Sequence, residues 1–368
     1  MRVHVVDPPA YTPPYDHALC AALARAGADV TLVTTRFAHG EVPAPEGYAV
    51  ERSFYAHTPA RLHGRTRQVA RLAQHVPDML RYRRRARAAD VVHFQWLSVQ
   101  QLDRRLLPHG PPLVLTAHDV LPREPTPGQR SAQRALYECV DAVVVHTDAG
   151  RDRLTRELGI DRARVSVIPH GAFTHLRDIP DPLPLAPELA AVDKPVVLLF
   201  GLLRPYKGID VALQAWGGID DAELWIVGMP RMDTTQLRRS APPGVRFVER
   251  FVEDRELAAF FGRADLVVLP YREAEQSGVL ATALAFGAPL VLSDVGGFPE
   301  VAATGAARLV PAGDAAALHG ALTGLLADPA ARAELGAAAR RAADERYSWN
   351  AVAGAHLALY EHLLEAPR

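Results

Sequence analysis

The sequence predicts two α/β domains, each built on a doubly wound parallel sheet, and three observations predict it. Short apolar runs of strand length alternate with helix-length segments along the whole chain. The stretch 176–195, LRDIPDPLPLAPELAAVDKP, carries five prolines and no helical periodicity, and it splits that alternation into halves. At 368 residues the chain is long for one domain. The expected division is therefore 1–175, a linker at 176–195, and 196–349, followed by a last helix over about 350–368.

Composition narrows the function classes. A hydrophobic content of 49% with 23% charged residues fits a globular protein with ample core. The net charge of −1 favours no polyanionic partner, and no nucleic-acid recognition motif accompanies the basic residues, so nucleic acid is not expected. Only Lys194 and Lys207 are lysines among the 41 basic residues, which makes a lysine inside a loop conspicuous. Cys20 and Cys139 lie in apolar helical contexts without a CxxC or a Cys/His cluster, so neither structural zinc nor a disulfide scaffold is expected. MRVHVVDPP reads as a strand, not a secretory leader, and no run approaches the ~18–20 apolar residues that span a bilayer. A cytoplasmic protein is the expectation.

In the first half, residues 3–6 form a strand ended by Asp7-Pro8-Pro9. A loop at 10–16, a helix at 17–26 stopped by Gly27 and a strand at 30–34 complete a βαβ unit. The first turn, PPAYTPPYD, has no glycine, which argues against the GxGxxG turn of an NAD-binding enzyme. The stretch between Arg61 and Arg87 reads as two helical pieces broken at Pro77, with Val69, Leu72 and Val76 at helical spacing. It is either a solvated helix face or a basic surface for anionic lipid or a lipid-linked diphosphate. Residues 90–94, 113–116 and 142–146 are further buried strands. His118 and Asp119 follow the second of these at its carboxyl end, where a histidine either polarises a hydroxyl or bonds locally.

In the second half, strand 196–200 runs into the loop GLLRPYKG and a helix at 209–216; strands at 223–227 and 245–248 follow. The chain is organised around 264–301, ADLVVLPYREAEQSGVLATALAFGAPLVLSDVGGFPEV. Strand 266–269 stops at Pro270, and a polar loop leads to a helix at 279–286 closed by Gly287 and Pro289. A second strand at 290–292 leads to Gly296-Gly297 and a new helix. Both loops lie beyond the carboxyl ends of strands, where open parallel sheets bind ligands. The N–H groups of Gly278, Val279 and Leu280, just after Ser277, point unpaired into that crevice; they form either an ordinary helix entry or a phosphate site.

FGLLRPYKG, LVVLPY…QSGVLATALAFGAP and VGGFPEV resemble the nucleotide-sugar site of family-4 glycosyltransferases, and the order of elements matches that family over nearly the whole chain. The resemblance implies a GT-B fold, with two Rossmann-like domains facing each other across a cleft and the terminal helix crossing back onto the first. It implies a retaining hexosyltransferase that takes a nucleoside-diphosphate sugar as co-substrate, needs no other cofactor, and transfers to a hydroxyl acceptor. Lys207 matches the family's loop lysine beside Gly201. Leu202 stands where the family has an arginine, and Arg204 can substitute. No D-x-D triad occurs, so no metal is expected. His118 matches a histidine facing the donor sugar, and His93 one of structural role.

Two departures concern the site. The family's glycine pair in the first turn, facing the acceptor, is absent, which leaves Tyr11, Tyr15 and Asp16 either as acceptor contacts or as a proline-framed loop with packed tyrosines. The family's two glutamates, eight apart, fall on Ala274 and Thr282. Glu275 or Glu273 can cover the first, and a threonine hydroxyl can still bond a ribose. The rival readings are a non-catalytic GT-B homologue serving as a nucleotide-binding or partner subunit, a GT-B enzyme such as a nucleotide-sugar epimerase, and a Rossmann oxidoreductase.

Overall fold

The computed structural model describes residues 1–37, 42–58, 64–97, 99–121 and 128–366. The chain forms two compact units: residues 1–169 with the C-terminal helix Trp349–Glu365, and residues 170–348.

The first unit holds β1 (Arg2–Asp7), β2 (Asp29–Thr34), β3 (Ala49–Arg52), β4 (Val91–Phe94), β5 (Leu113–Thr116), β6 (Ala142–Val145) and β7 (Val165–Val167). All pair in parallel in the order β3-β2-β1-β4-β5-β6-β7, so the winding reverses between β1 and β4. The inner runs VVHF, LVLT and AVVV are buried at every position, as a sheet covered on both faces requires. The edge strand β3, AVER, has no apolar run and so is not legible as a strand from its residues.

Two helices differ from expectation. The helix Pro13–Arg25 starts four residues early, because Pro13 and Pro14 occupy the first turn, where no backbone donor is needed and φ is already helical. Tyr15 and Asp16 therefore sit in a helix and not in a loop. The helix Gly64–Arg85 runs unbroken through Pro77, while residues 61–63 of the predicted basic stretch lie outside the described residues. Tertiary contacts hold it together: its buried face is His75, Asp78, Met79 and Tyr82. Asp78 accepts the Tyr55 N–H at 2.8 Å, and His75 bonds both the Tyr55 hydroxyl at 2.7 Å and the Asp103 carboxylate. The predicted apolar face lies outside, with Val69 67% and Leu72 48% exposed.

The terminal helix packs on Pro13–Arg25. Its Tyr360 hydroxyl meets His93 Nδ1 at 2.7 Å, and His93 Nε2 meets Thr116 Oγ1 at 2.7 Å. Burial pushes His93 well below the ordinary imidazole range, so a neutral ring with one donor and one acceptor links β4, β5 and the terminal helix.

The second unit holds β8 (Val196–Phe200), β9 (Glu223–Val227), β10 (Val245–Val248), β11 (Leu266–Leu269), β12 (Leu290–Ser293) and β13 (Ala307–Val310). They are parallel in the order β10-β9-β8-β11-β12-β13, with the reversal between β8 and β11. The proline-rich stretch is not a free linker. Ala172, Leu176, Leu189 and Val192 are buried in this unit's core, and Ala172 N–H donates to the Tyr347 carbonyl at 2.7 Å. Regular structure there is confined to the 3-10 turn Thr174–Asp178 and the short helix Pro187–Ala190, and the apolar side chains fill the flank of the sheet.

Two glycines press loops onto the segment after β11. Gly208 has φ 66°, and a Cβ there would fall 1.9 Å from the Pro270 carbonyl oxygen; at Gly296, φ 52°, it would fall 1.5 Å from the Ala274 oxygen. Gly208→Ala should lower the stability to urea by more than the ~1–2 kcal/mol of left-handed strain alone. Gly262→Ala, on the exposed face of the helix Asp254–Arg263 with nothing within 4 Å, should be neutral or up to ~1 kcal/mol stabilising. Equal midpoints for the two variants would show that the approach to Pro270 imposes no constraint.

Candidate functional site

In the second unit the loops after β8 and β11 flank the reversal point, where a doubly wound sheet opens a crevice. Gly201, φ 103°, ends β8, and a Cβ on it would lie 2.6 Å from Lys207 Nζ and 2.8 Å from Val279 Cγ2. The lysine head, the end of β8 and the start of the helix Gly278–Phe286 are thus brought to one point. Lys207 is only 3% exposed; its ammonium donates to the Phe200 carbonyl at 3.0 Å and lies 5.1 Å from the centre of the Tyr271 ring. Arg272 fastens the two loops, donating to the Pro205 carbonyl at 3.2 Å and pairing with Asp210. Arg204 stands exposed in the same loop.

Ser277 caps the helix. Its Oγ accepts the Leu280 N–H at 3.3 Å, which corrects the expectation of three unpaired amides: those of Gly278 and Val279 have no partner among the described residues. A buried ammonium beside two amides at a helix start is suited to an anion. Thr282 faces Gly278 as expected, but its hydroxyl donates to the Gly278 carbonyl at 2.9 Å and the side chain is buried, so its donor is used within the helix. Glu275 is half-buried two residues before Ser277, Glu273 is exposed, and Ala274 is buried.

In the first unit, His118 is buried two residues past β5. Trp96 stacks on it, centroids 5.1 Å apart at 13°, and Tyr15 meets it edge-on at 4.8 Å. His118 Nδ1 lies 3.1 Å from His146 Nε2, and His146 Nδ1 lies 3.0 Å from the Ile168 carbonyl. The Ile168 carbonyl only accepts, so His146 donates to it from Nδ1. His118 Nε2 lies 3.1 Å from Gln95 Oε1, which only accepts, so His118 donates from Nε2. Gln95, Trp96 and His146 were not singled out from sequence; their shared signal is a position at or just past the carboxyl end of a buried strand.

The three first-turn candidates separate. Tyr11 is 66% exposed and packs against Trp96 at 4.6 Å between centroids, whereas Tyr15 is 1% exposed among His118, His146 and Trp349. Of the two readings, packed core describes Tyr15. Asp16 is buried too. Asp7 accepts the N–H groups of Tyr11 at 2.6 Å and Thr12 at 3.3 Å, whereas Asp16 has the Thr12 hydroxyl at 3.4 Å. Burial, then the Asp7 charge, holds the Asp16 carboxyl well above its ordinary range.

Residues 15–175 match the family model described as Glycosyltransferase Family 4, and residues 194–328 match Glycosyl transferases group 1. The chain is 32% identical over 298 residues to a D-inositol 3-phosphate glycosyltransferase of Xylanimonas cellulosilytica, covering 74% of this chain and 71% of that protein. It is 35% identical over 240 residues to a phosphatidyl-myo-inositol mannosyltransferase of Mycobacterium leprae, covering 62% of this chain and 61% of that protein's length. Among solved structures, a sucrose-phosphate synthase from Thermosynechococcus elongatus superposes with a TM-score of 0.78 at 22% identity, covering both chains fully. Anabaena HepE in complex with UDP and glucose gives 0.69 at 19%, again covering both fully. At these identities the structural likeness speaks for the fold, and the fold is GT-B.

The buried Asp16 gives a pH dependence whose sign follows from linkage. Its folded-state pKa is raised, so the folded chain keeps a proton that the unfolded chain releases near pH ~4. Its contribution to stability is full below that pH and is lost as pH rises through the folded value. Asp16→Asn should flatten this fall, with urea unfolding across mildly acidic to neutral pH as the measurement. A variant that keeps the wild-type slope would place an ionised carboxylate at Asp16.

Proposed function

We propose, from the premise that the chain belongs to glycosyltransferase family 4, that it moves a sugar from a nucleoside-diphosphate donor to a hydroxyl acceptor with retention of configuration. The observation that carries this reading is the convergence of Gly201, Lys207 and the start of the helix Gly278–Phe286 at the reversal point of the second sheet. The leaving group of such a reaction is a diphosphate, and charge develops on it as the glycosidic bond breaks. A fixed ammonium and helix-terminal amides stabilise that charge without reorganising. Arg204 adds a second cation from the same loop, so the diphosphate is neutralised by side chains and not by a metal. Glu275 supplies a carboxylate from the loop before Ser277 to accept from a sugar hydroxyl. His118 offers a ring fixed in orientation by Trp96 and Tyr15. Front-face attack by the acceptor requires no protein nucleophile.

The second reading, a nucleotide-binding homologue without turnover, is favoured by Ala274 and by the closed hydroxyl of Thr282, which leave two family carboxylates unreplaced in place. A panel of nucleotide sugars, with nucleoside diphosphate release as the signal, separates the two. Turnover that persists in EDTA is expected of the wild type. Lys207→Ala should weaken nucleoside-diphosphate binding by on the order of 1.5–3 kcal/mol in calorimetry. Unchanged affinity would remove Lys207 from the site, and diphosphate binding without turnover on any donor would support the second reading.

We further propose that the helix Gly64–Arg85 rests on an anionic membrane surface. Val69, Leu72 and Leu80 are exposed along one side of it, at helical spacing with Arg65 and Arg83. No described helix is long and apolar enough to cross a membrane, so contact would be peripheral. Vesicle sedimentation should need anionic lipid, fall steeply with salt, and drop for Leu72→Glu. Binding that is indifferent to Leu72→Glu would move the contact elsewhere.

A further inference from the structure

A second cavity lies in the first unit, away from the His118 cluster. It measures about 260 Å3 and is walled by Pro9 and Ala10 after β1, Arg36 and Phe37 after β2, and Arg67 and Arg71 on the helix Gly64–Arg85. Three guanidinium side chains thus line one small space, and among the described residues no carboxylate lines it. Their neighbours behave differently: on the same helix Arg81 pairs with Asp78 and Arg85 with Glu51. Among the described residues, Arg36, Arg67 and Arg71 make no ion pair, and the buried Nε–H groups of Arg67 and Arg71 have no hydrogen-bond partner. Burial first, and then the Arg67 charge, pushes Arg71 below the ordinary arginine range, while the Tyr55 ring lies 5.0 Å beneath its guanidinium.

Like charges gathered in one space cost free energy, and an anion among them recovers it. The cavity wall shows a second cost of the same kind. Ala10 has φ 53°, a left-handed conformation worth ~1–2 kcal/mol of strain in a residue with a Cβ. It is held there by its N–H to the Asp7 carbonyl at 3.1 Å and by Tyr11 N–H to the Asp7 carboxylate at 2.6 Å. The first turn thus keeps, without a glycine, a conformation that glycine adopts freely, and the strained residue faces the three arginines.

We propose that this cavity binds a phosphate group carried by the acceptor. The proposal rests on the reading of the first unit as acceptor-binding. A carboxylate needs one guanidinium fork, whereas a phosphate ester presents up to two charges and three free oxygens, which suits three converging arginines and the Gln68 amide beside them. The phosphate can belong to a soluble monoester or to a lipid headgroup, whose diester presents one charge and two free oxygens to the same arginines.

The test uses the full chain without any donor, so it does not depend on transfer. Inorganic phosphate and glycerol 1-phosphate are titrated by calorimetry, with glycerol as the neutral control. Phosphatidylcholine vesicles with and without phosphatidylinositol form the lipid arm. Wild type should bind at least one phosphate-bearing probe and not glycerol. Arg67→Ala and Arg71→Ala should each weaken that binding about tenfold or more. Arg36→Gln, in an exposed loop where it supports no core, should do the same while melting as wild type. Arg104→Ala, exposed on the separate helix Gln100–Leu106, should change nothing. Binding of the soluble ester assigns a soluble acceptor, and binding confined to phosphatidylinositol vesicles and lost in the arginine variants assigns a lipid one. No binding of any phosphate-bearing probe, or binding that survives Arg67→Ala combined with Arg71→Ala, overturns the proposal. Phosphate binding with these losses but no sugar transfer would leave the site standing and overturn the transferase reading instead.

Discussion

The second unit depends on one constraint: three loops must approach a common point more closely than side chains allow. Gly208 meets the Pro270 carbonyl, Gly296 meets the Ala274 carbonyl, and Gly201 makes room for the Lys207 ammonium against Val279. Each glycine has positive φ and each lies where a Cβ would collide. The approach seats a lysine that is nearly closed to solvent, and burying an ammonium is costly unless its donors are used. The Phe200 carbonyl takes one hydrogen bond and the Tyr271 ring supplies a negative face. What remains is positive charge held at the opening of a parallel sheet, next to amides that the helix cannot satisfy itself.

The first unit solves a different problem with polar groups inside a core. His93, His118 and His146 are all buried at strand ends or within strands. A buried imidazole is kept neutral by desolvation, and a neutral ring needs one donor and one acceptor in the correct places. For His93 these are Thr116 and Tyr360, so the terminal helix is tied to the sheet by a hydrogen bond spanning most of the sequence. For His118 the contacts run on one side to Gln95 Oε1 and on the other through His146 to the Ile168 carbonyl, and both of those oxygens accept. The surrounding aromatics, Trp96, Tyr15 and Trp349, exclude water from that chain.

The helix Gly64–Arg85 shows how tertiary contacts overrule local signals. An internal proline disfavours a helix by ~3 kcal/mol, and the sequence accordingly read as two pieces broken at Pro77, yet one helix runs through it. Polar anchors decided the matter: Asp78 and His75 are committed to Tyr55 and Asp103, so the helix turns that side inward and leaves Val69 and Leu72 outside. The same rotation brings Arg67 and Arg71 to the cavity beside Ala10. A periodicity argument weighs apolar side chains alone, and here the face was chosen by hydrogen bonds.

By itself the sequence determined the strand-and-helix alternation, both parallel sheets, the loop lysine and the helix that follows Ser277, because short fully apolar runs and glycine and proline stops act within a few residues. It also carried the family resemblance that the comparisons bear out. Only the tertiary structure decided which first-turn residues are core, why Ala10 is strained, which side of the arginine-rich helix is buried, and that residues 172–192 belong to the second unit's core. It alone paired His118 with His146. Such choices depend on partners tens of residues away, whose hydrogen bonds and burial compete with local preference and win where a polar group has no other partner.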